Sequence, residues 1–199
     1  MSESHGMPIA EPAPPVHGAV LPGIWVFIFA DMCAFGLFFL VFTLSRMQDP
    51  ELYAASRRAL DLRFGLANTL ILLSSGALMA HAVRQGRAED WTAARRSMQW
   101  ALAVGGLFGI SKGMEWADKI HHGIGLGTNE FFAYYFIFTG MHCLHFIGGV
   151  AVLLVLIGRC REPLPQANKL RWAEAGAAYW HMVDLLWIVL FALLYLERV

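Results

Sequence analysis

Residues 175–196 read AGAAYWHMVDLLWIVLFALLYL. At about 1.5 Å of rise per residue, these 22 residues make a helix roughly 33 Å long, close to the thickness of a bilayer's hydrocarbon core. Asp184 is the tenth residue of the stretch, so it lies near the midplane. An ionisable group at that depth costs about 2.5–3.5 kcal/mol unless it is paired or faces the protein interior. The stretch therefore reads as a spanning helix whose carboxylate needs a partner.

The remainder of the chain has the same character. It is 57% hydrophobic and 15% charged, with its apolar residues gathered in long runs, the profile of a polytopic membrane protein. The formal net charge is zero and no basic stripe separates from the acidic residues, which argues against a nucleic-acid partner. Cys33 and Cys143 lie inside apolar runs and Cys160 follows one, with no Cys-x-x-Cys pair, so neither a disulfide nor a structural zinc is expected. Residues 1–22 hold five of the eight prolines and no Lys or Arg. They lack the basic start of a secretory signal and are expected to form a disordered tail.

Five spans are expected, over about 24–44, 64–83, 98–117, 131–157 and 175–196. The connections are short, so the expected fold is an all-α integral membrane protein built as one five-helix bundle over residues 23–199. With the N-terminus inside, the cytoplasmic loops hold eight basic residues (Arg84, Arg87, Arg95, Arg96, Arg159, Arg161, Lys169, Arg171) against six on the other side. That balance favours a cytoplasmic N-terminus and an outer C-terminus.

The polar groups inside the spans come in sets. Asp31 is the eighth residue of the first span. Lys112 and Glu115 in the third span are three apart and share a helix face, as a partly buried ion pair near its outer end. His142 and His145 in the fourth span, and His181 and Asp184 in the fifth, repeat that spacing. Asp184 could accept a hydrogen bond from His142, from His145, or from a nearby indole or phenol. Trp180, Asp184, Trp187 and Phe191 form one stripe around it.

Each set has a plain reading beside a sharper one. His142 and His145 serve as interhelical hydrogen-bond partners or as haem or metal ligands, and the paired four-turn spacing of membrane di-haem cytochromes is missing. His121 and His122 sit in a Gly-rich turn. Asp31 marks a proton pathway or a helix and lipid contact. No nucleophilic triad, P-loop, dinucleotide fingerprint or metal cage is visible, so no active site and no metal site are expected on this chain.

Thr139-Gly140-Met141-His142-Cys143-Leu144-His145, followed by Gly149, resembles the T-G-x-H-x-x-H-x-x-x-G helix of cytochrome c oxidase subunit III. Glu174 and then Tyr179-Trp180-His181-x-Val183-Asp184-x-x-Trp187 resemble that family's final helix. Ser75-Gly76, His81 and Glu115-Trp116 also fall where the family has polar helix positions. The resemblance runs from about Pro22 to the C-terminus, and short five-helix members are similar to the NorE-type proteins associated with nitric oxide reductase and denitrification.

The resemblance implies a non-catalytic subunit of a haem–copper oxidase or nitric oxide reductase in the bacterial inner membrane. It would bind no cofactor itself and would pack against a catalytic subunit carrying haem with copper or non-haem iron. It would bind phospholipid and support proton uptake. His142, His145, His181, Asp184 and Trp180 would then be the buried structural set. Asp31, Lys112, Glu115 and Glu174 would be candidates for proton uptake or lipid contact. Asp31 stands where the family usually has Glu, Lys112 where long members often have Gln, and two N-terminal helices of the seven-helix members are absent. A second reading is a small proton or ion conductor using Asp31, Glu115 and Asp184, and a third is a haem cytochrome using His142 or His145.

Overall fold

The structure, a computed structural model, describes residues 20–196. Among the described residues the chain is helical with no strand: α1 (Val20–Gln48), α2 (Pro50–Arg57), α3 (Leu62–Arg87), α4 (Trp91–His121), α5 (Glu130–Arg159) and α6 (Gln166–Phe191). The last turn of α6 opens into a π-turn, Ala192–Leu196. The expected Pro-rich tail lies outside the described residues, apart from its last three positions, which begin α1.

Local chemistry sets most helix starts. Asp49, Asp61, Asp90 and Asn129 each stand at an N-cap, where the side chain accepts from Leu52, Arg63, Ala93 and Phe132 N–H respectively. Pro50 occupies the first turn of α2, where its missing N–H costs nothing. α6 starts after Pro165 without a side-chain cap.

Among the described residues, four segments are long and apolar enough to cross a membrane: Gly23–Gln48, Leu62–Arg87, Glu130–Arg159 and Gln166–Leu196. This multi-pass character is what the runs of apolar sequence predict. The expected third span is helical and lies within α4, yet Lys112, Glu115, Asp118 and Lys119 in its later half keep it out of that set. The sequence also hides α2, a short amphipathic helix that inserts the fully buried Tyr53 among Phe42, Phe131 and their neighbours.

The bundle is built around α3, which packs on both α4 and α6, while α5 closes the other side of α6. α1 is peripheral, and among its described side chains Phe35 and Phe42 are the buried ones. Phe42 joins an aromatic cluster with Tyr134 and Phe138 of α5. Within lipid the tails are as apolar as the side chains, so helix association rests on close packing and interhelical hydrogen bonds.

Trp180 shows how that packing works. Its fully buried indole lies between Gly105 of α4 and Gly149 of α5, and donates through Nε1 to Ser75 Oγ of α3 at 3.1 Å. A Cβ at Gly105 would lie 2.8 Å from the indole and 3.0 Å from Ser75 Oγ, whereas one at the adjacent Gly106 would meet nothing within 4 Å. Gly105→Ala is therefore expected to lower thermal stability in detergent by about 1–3 kcal/mol, the cost of overpacking. Gly106→Ala should leave the melting temperature unchanged or slightly higher, since glycine is the poorer helix former. Equal effects of the two substitutions would contradict this packing.

Candidate functional site

Lys112 and Glu115 lie one turn apart on α4, and neither reaches solvent: their side chains are 1% and 2% exposed. The expected partly buried ion pair is thus fully buried, and a sequence reading misses the two tyrosines that close it. Lys112 Nζ donates to Glu115 Oε2 at 2.9 Å, to Tyr135 Oη at 3.0 Å and to Tyr195 Oη at 3.1 Å. Both phenols in turn donate to Glu115 Oε1, Tyr135 at 2.8 Å and Tyr195 at 2.5 Å. All three ammonium protons and both carboxylate oxygens are used. Tyr135 comes from α5 and Tyr195 from the π-turn, so the network ties α4, α5 and the end of α6 together. The Lys112 ammonium also lies 4.6 Å from the Tyr135 ring centre and 5.3 Å from that of Trp187.

Three indoles follow a second rule. Trp116, Trp180 and Trp187 donate to Thr139, Ser75 and Thr69 hydroxyls. Those hydroxyls pass their own protons to the backbone carbonyls of Tyr135, Ala101 and Gly65. Indole, hydroxyl and carbonyl are thereby satisfied without water, as a hydrocarbon environment demands. The signal available in the sequence was the presence of indoles and hydroxyls at matching depths on different spans.

The expected Asp184 pairings are corrected. His142 Nε2–H donates to the Val183 carbonyl at 3.1 Å, with the ring buried beside Phe108 and Trp187. His145 turns instead to α1, where its Nε2 is 2.9 Å from Asp31 Oδ1. A three-residue step is about 300° of helical rotation, so the two imidazoles diverge by about 60° and reach different helices. Asp184 interacts with His181 of its own helix, Oδ2 to Nδ1 at 3.5 Å, and no indole of the α6 stripe donates to it. The four-residue stripe is buried as expected.

Asp31 and His145 form a close pair between α1 and α5. His145 Nδ1 lies 2.8 Å from the Met141 carbonyl, which only accepts, so Nδ1 carries hydrogen and Nε2 faces the Asp31 carboxyl. The pair sits at the rim of the bundle, with the His145 side chain 21% and that of Asp31 13% exposed.

The remaining candidates lie nearer the surface. Glu174 at the start of α6 receives Arg87 Nε and Nη2 at 3.1 and 2.9 Å, in an exposed pair. His81 contacts Arg84 and Gln85 within α3. His121 ends α4, and His122 Nδ1 donates to the Asp118 carbonyl at 2.8 Å. Among the described residues, no group of three or more His, Cys, Asp and Glu side chains is placed to hold a metal ion.

These features define a class: an all-helical, multi-pass membrane protein whose interior polar groups serve mainly to join helices. The match to known proteins is specific within that class. The cytochrome c oxidase subunit III family matches over residues 10–198, and the chain belongs to that family. It is 31% identical to cytochrome c oxidase subunit 3 of Thermostichus vulcanus over 175 residues, covering 87% of this chain and 85% of the relative. It is 27% identical to a probable cytochrome c oxidase subunit 3 of Nocardia farcinica over 181 residues, covering 88% and 87%. A heme-copper oxidase subunit I+III of Aeropyrum pernix is 27% identical over 179 residues, 87% of this chain but 22% of that longer protein.

The closed network gives a direct test. Lys112→Met leaves Glu115 as an uncompensated buried charge and is expected to cost about 3–5 kcal/mol of stability. Adding Glu115→Gln should recover most of that loss, because the amide keeps an oxygen for both phenols. Thermal melts of the two variants in the same detergent check the prediction. It fails if the double variant is no more stable than Lys112→Met alone.

Proposed function

We propose that the chain is a non-catalytic accessory subunit, packed in the membrane against the catalytic subunit of a respiratory haem–copper oxidase or a related nitric oxide reductase. The observation that carries this reading is the closed Lys112–Glu115–Tyr135–Tyr195 network. A charge pair with every donor and acceptor spent inside the bundle builds structure and leaves nothing for a substrate. In this reading α4 is the fifth crossing, its charged half shielded by α5 and the π-turn. The N-terminus faces the cytoplasm of a bacterial inner membrane, consistent with the eight basic residues in and beside the α3–α4 and α5–α6 connections, most of them in the adjoining helix ends. Haem and copper, or haem and non-haem iron, belong to the partner.

Two further roles fit particular places. A cavity of about 550 Å³ between α1, α3 and α6 is lined by Trp25, Val83, Ala177 and His181, with Arg84 and the Arg87–Glu174 pair toward the helix ends. That combination suits an anionic phospholipid, with acyl chain on the apolar wall and headgroup on the guanidinium groups. Asp31 with His145 suits proton handling, since a carboxyl and an imidazole lie 2.9 Å apart at the bundle rim.

Affinity purification of the tagged chain from its native membrane, followed by haem and metal analysis, tests the assignment. Copper with haem identifies an oxidase partner. Non-haem iron with haem identifies the NorE-type, denitrifying branch. Recovery of the chain with neither would sink the accessory reading. Asp31→Asn keeps a polar side chain beside His145 but removes the titratable carboxyl. If the pair feeds proton uptake, the assembled complex should lose turnover more steeply at alkaline pH, with unchanged subunit recovery. An unchanged pH profile assigns the pair to structure alone.

The rival reading, proton conduction through Asp31, Glu115 and Asp184, is less well supported. Each carboxyl has its own partner, His145, Lys112 or His181, on or against a different helix. Proton flux in liposomes containing only this chain would restore it.

A further inference from the structure

One corner of the bundle carries cations that no acidic group answers. Arg159 closes α5, and Lys169 lies in the first turn of α6, across a short connection from it. The Arg159 guanidinium stacks over the Trp172 ring at 4.4 Å, and the Lys169 ammonium lies 5.7 Å from the Trp91 ring centre. Lys169 donates one proton to the Cys160 carbonyl at 3.3 Å and keeps two. Among the described residues, the Arg159 guanidinium makes no hydrogen bond, and neither cation has a carboxylate within 4 Å. None of the Arg159 nitrogens is closed off from the surroundings. Arg95 of α4 acts on the same corner: burial pushes the Cys160 thiol up, and Lys169 and Arg95 pull against it. Arg87 and Lys119, by contrast, each hold a carboxylate, Glu174 and Asp118.

The corner sits where a spanning helix leaves the membrane. Arg159 is the last residue of the Glu130–Arg159 span, and Trp172 beside it is 36% exposed. Indole rings favour this boundary, where the ring meets hydrocarbon and the N–H meets water. Toward mid-span on α5, Leu144, Ile147, Ala151 and Val155 recur at i, i+3, i+7 and i+11 and make one outward column. Leu144, Ile147 and Val155 are 69%, 62% and 53% exposed. Arg159 follows Val155 by one turn, so its guanidinium heads an apolar strip that reaches the middle of the span. The notch between the two indoles encloses only about 10 Å³, so a ligand here rests on the rim and does not enter the bundle.

We propose that this corner binds one anionic phospholipid of the adjoining leaflet, with its phosphate on Arg159 and Lys169 and an acyl chain along Val155, Ile147 and Leu144. Stacking on Trp172 and Trp91 holds both cations in place before the lipid arrives, which lowers the ordering cost of the contact. A free anion would use the cations and leave the apolar column unused. A zwitterionic headgroup would bring its own ammonium beside two cations with no carboxylate to receive it. The site is separate from the cavity between α1, α3 and α6, which Arg84 and the Arg87–Glu174 pair border. It rests on the membrane-spanning fold and does not depend on the accessory-subunit reading.

The test reconstitutes the full chain, with whatever subunits co-purify, in vesicles of equal phosphatidylglycerol and phosphatidylcholine. Photoreactive benzoylphenylalanine is placed singly at Val155 or at Leu40, which is 54% exposed on α1. Mass spectrometry of the adducts is expected to show phosphatidylglycerol over phosphatidylcholine by about tenfold at Val155, and near parity at Leu40. Parity at Val155, or the same excess at both positions, overturns the proposal. Arg159→Gln with Lys169→Gln should bring Val155 to parity, whereas Arg63→Gln, an equal charge change at the opposite end of α3, should not. An excess that survives the double variant, or that Arg63→Gln also removes, overturns it. If the double variant does not assemble, Trp172→Leu, which keeps both charges but removes the stack under Arg159, should lower the excess at Val155, and an unchanged excess refutes the proposal. Inorganic phosphate at about 10 mM should leave the excess unchanged; competition by phosphate assigns the cations to a free anion instead. Adducts at Val155 to a polypeptide in place of lipid likewise overturn it.

Discussion

The Lys112–Glu115 pair inside the bundle depends on a constraint that shapes the rest of the structure: no water is available to complete a hydrogen bond there. A buried ion pair recovers its desolvation cost only if the remaining protons and lone pairs also find partners. Tyr135 and Tyr195 supply them, and each must come from a different helix segment. One pair on α4 thus joins α5, through Tyr135, and the π-helical turn after α6, through Tyr195. The three indole–hydroxyl–carbonyl relays obey the same constraint with neutral groups.

Two kinds of interior polar group stand out. Those of α4 with Tyr135 and Tyr195, and the relays of Trp116, Trp180 and Trp187, are closed and hold helices together. The Asp31–His145 and His181–Asp184 pairs are incomplete, since Asp31 Oδ2 and Asp184 Oδ1 are buried without a hydrogen-bond partner in the bundle, as are both polar atoms of the Asn68 side chain.

Much of this was legible in the sequence, for stated reasons. Apolar runs revealed the spans because their length is tied to bilayer thickness. The three-residue spacing of Lys112 and Glu115 showed that they could pair, since both lie on one helix face. His142 and His145 were harder. Their spacing suggests a shared target, but the 60° between them sends one to the Val183 carbonyl and the other to Asp31. Tyr135 and Tyr195 carried no local mark at all, because a tyrosine in an apolar helix looks the same whether or not a charge pair lies across from it.

The sequence by itself determined that this is a helical membrane protein, where most of its spans lie, and the family to which its last two long helices point. The first two follow from local periodicity and composition and the third from motif resemblance, whereas burial did not follow: His181, expected in the buried set, is 47% exposed. Partner choice among the buried polar groups was decided only by the tertiary structure. Asp184, the costly carboxylate of residues 175–196, found no histidine on α5 but a glycine backbone on α3 and an imidazole one turn earlier on its own helix. Rotation about each helix axis and the depth of each crossing settle such pairings. Both are properties of packed helices, set by contacts such as Trp180 between Gly105 and Gly149, and neither is encoded in any single span.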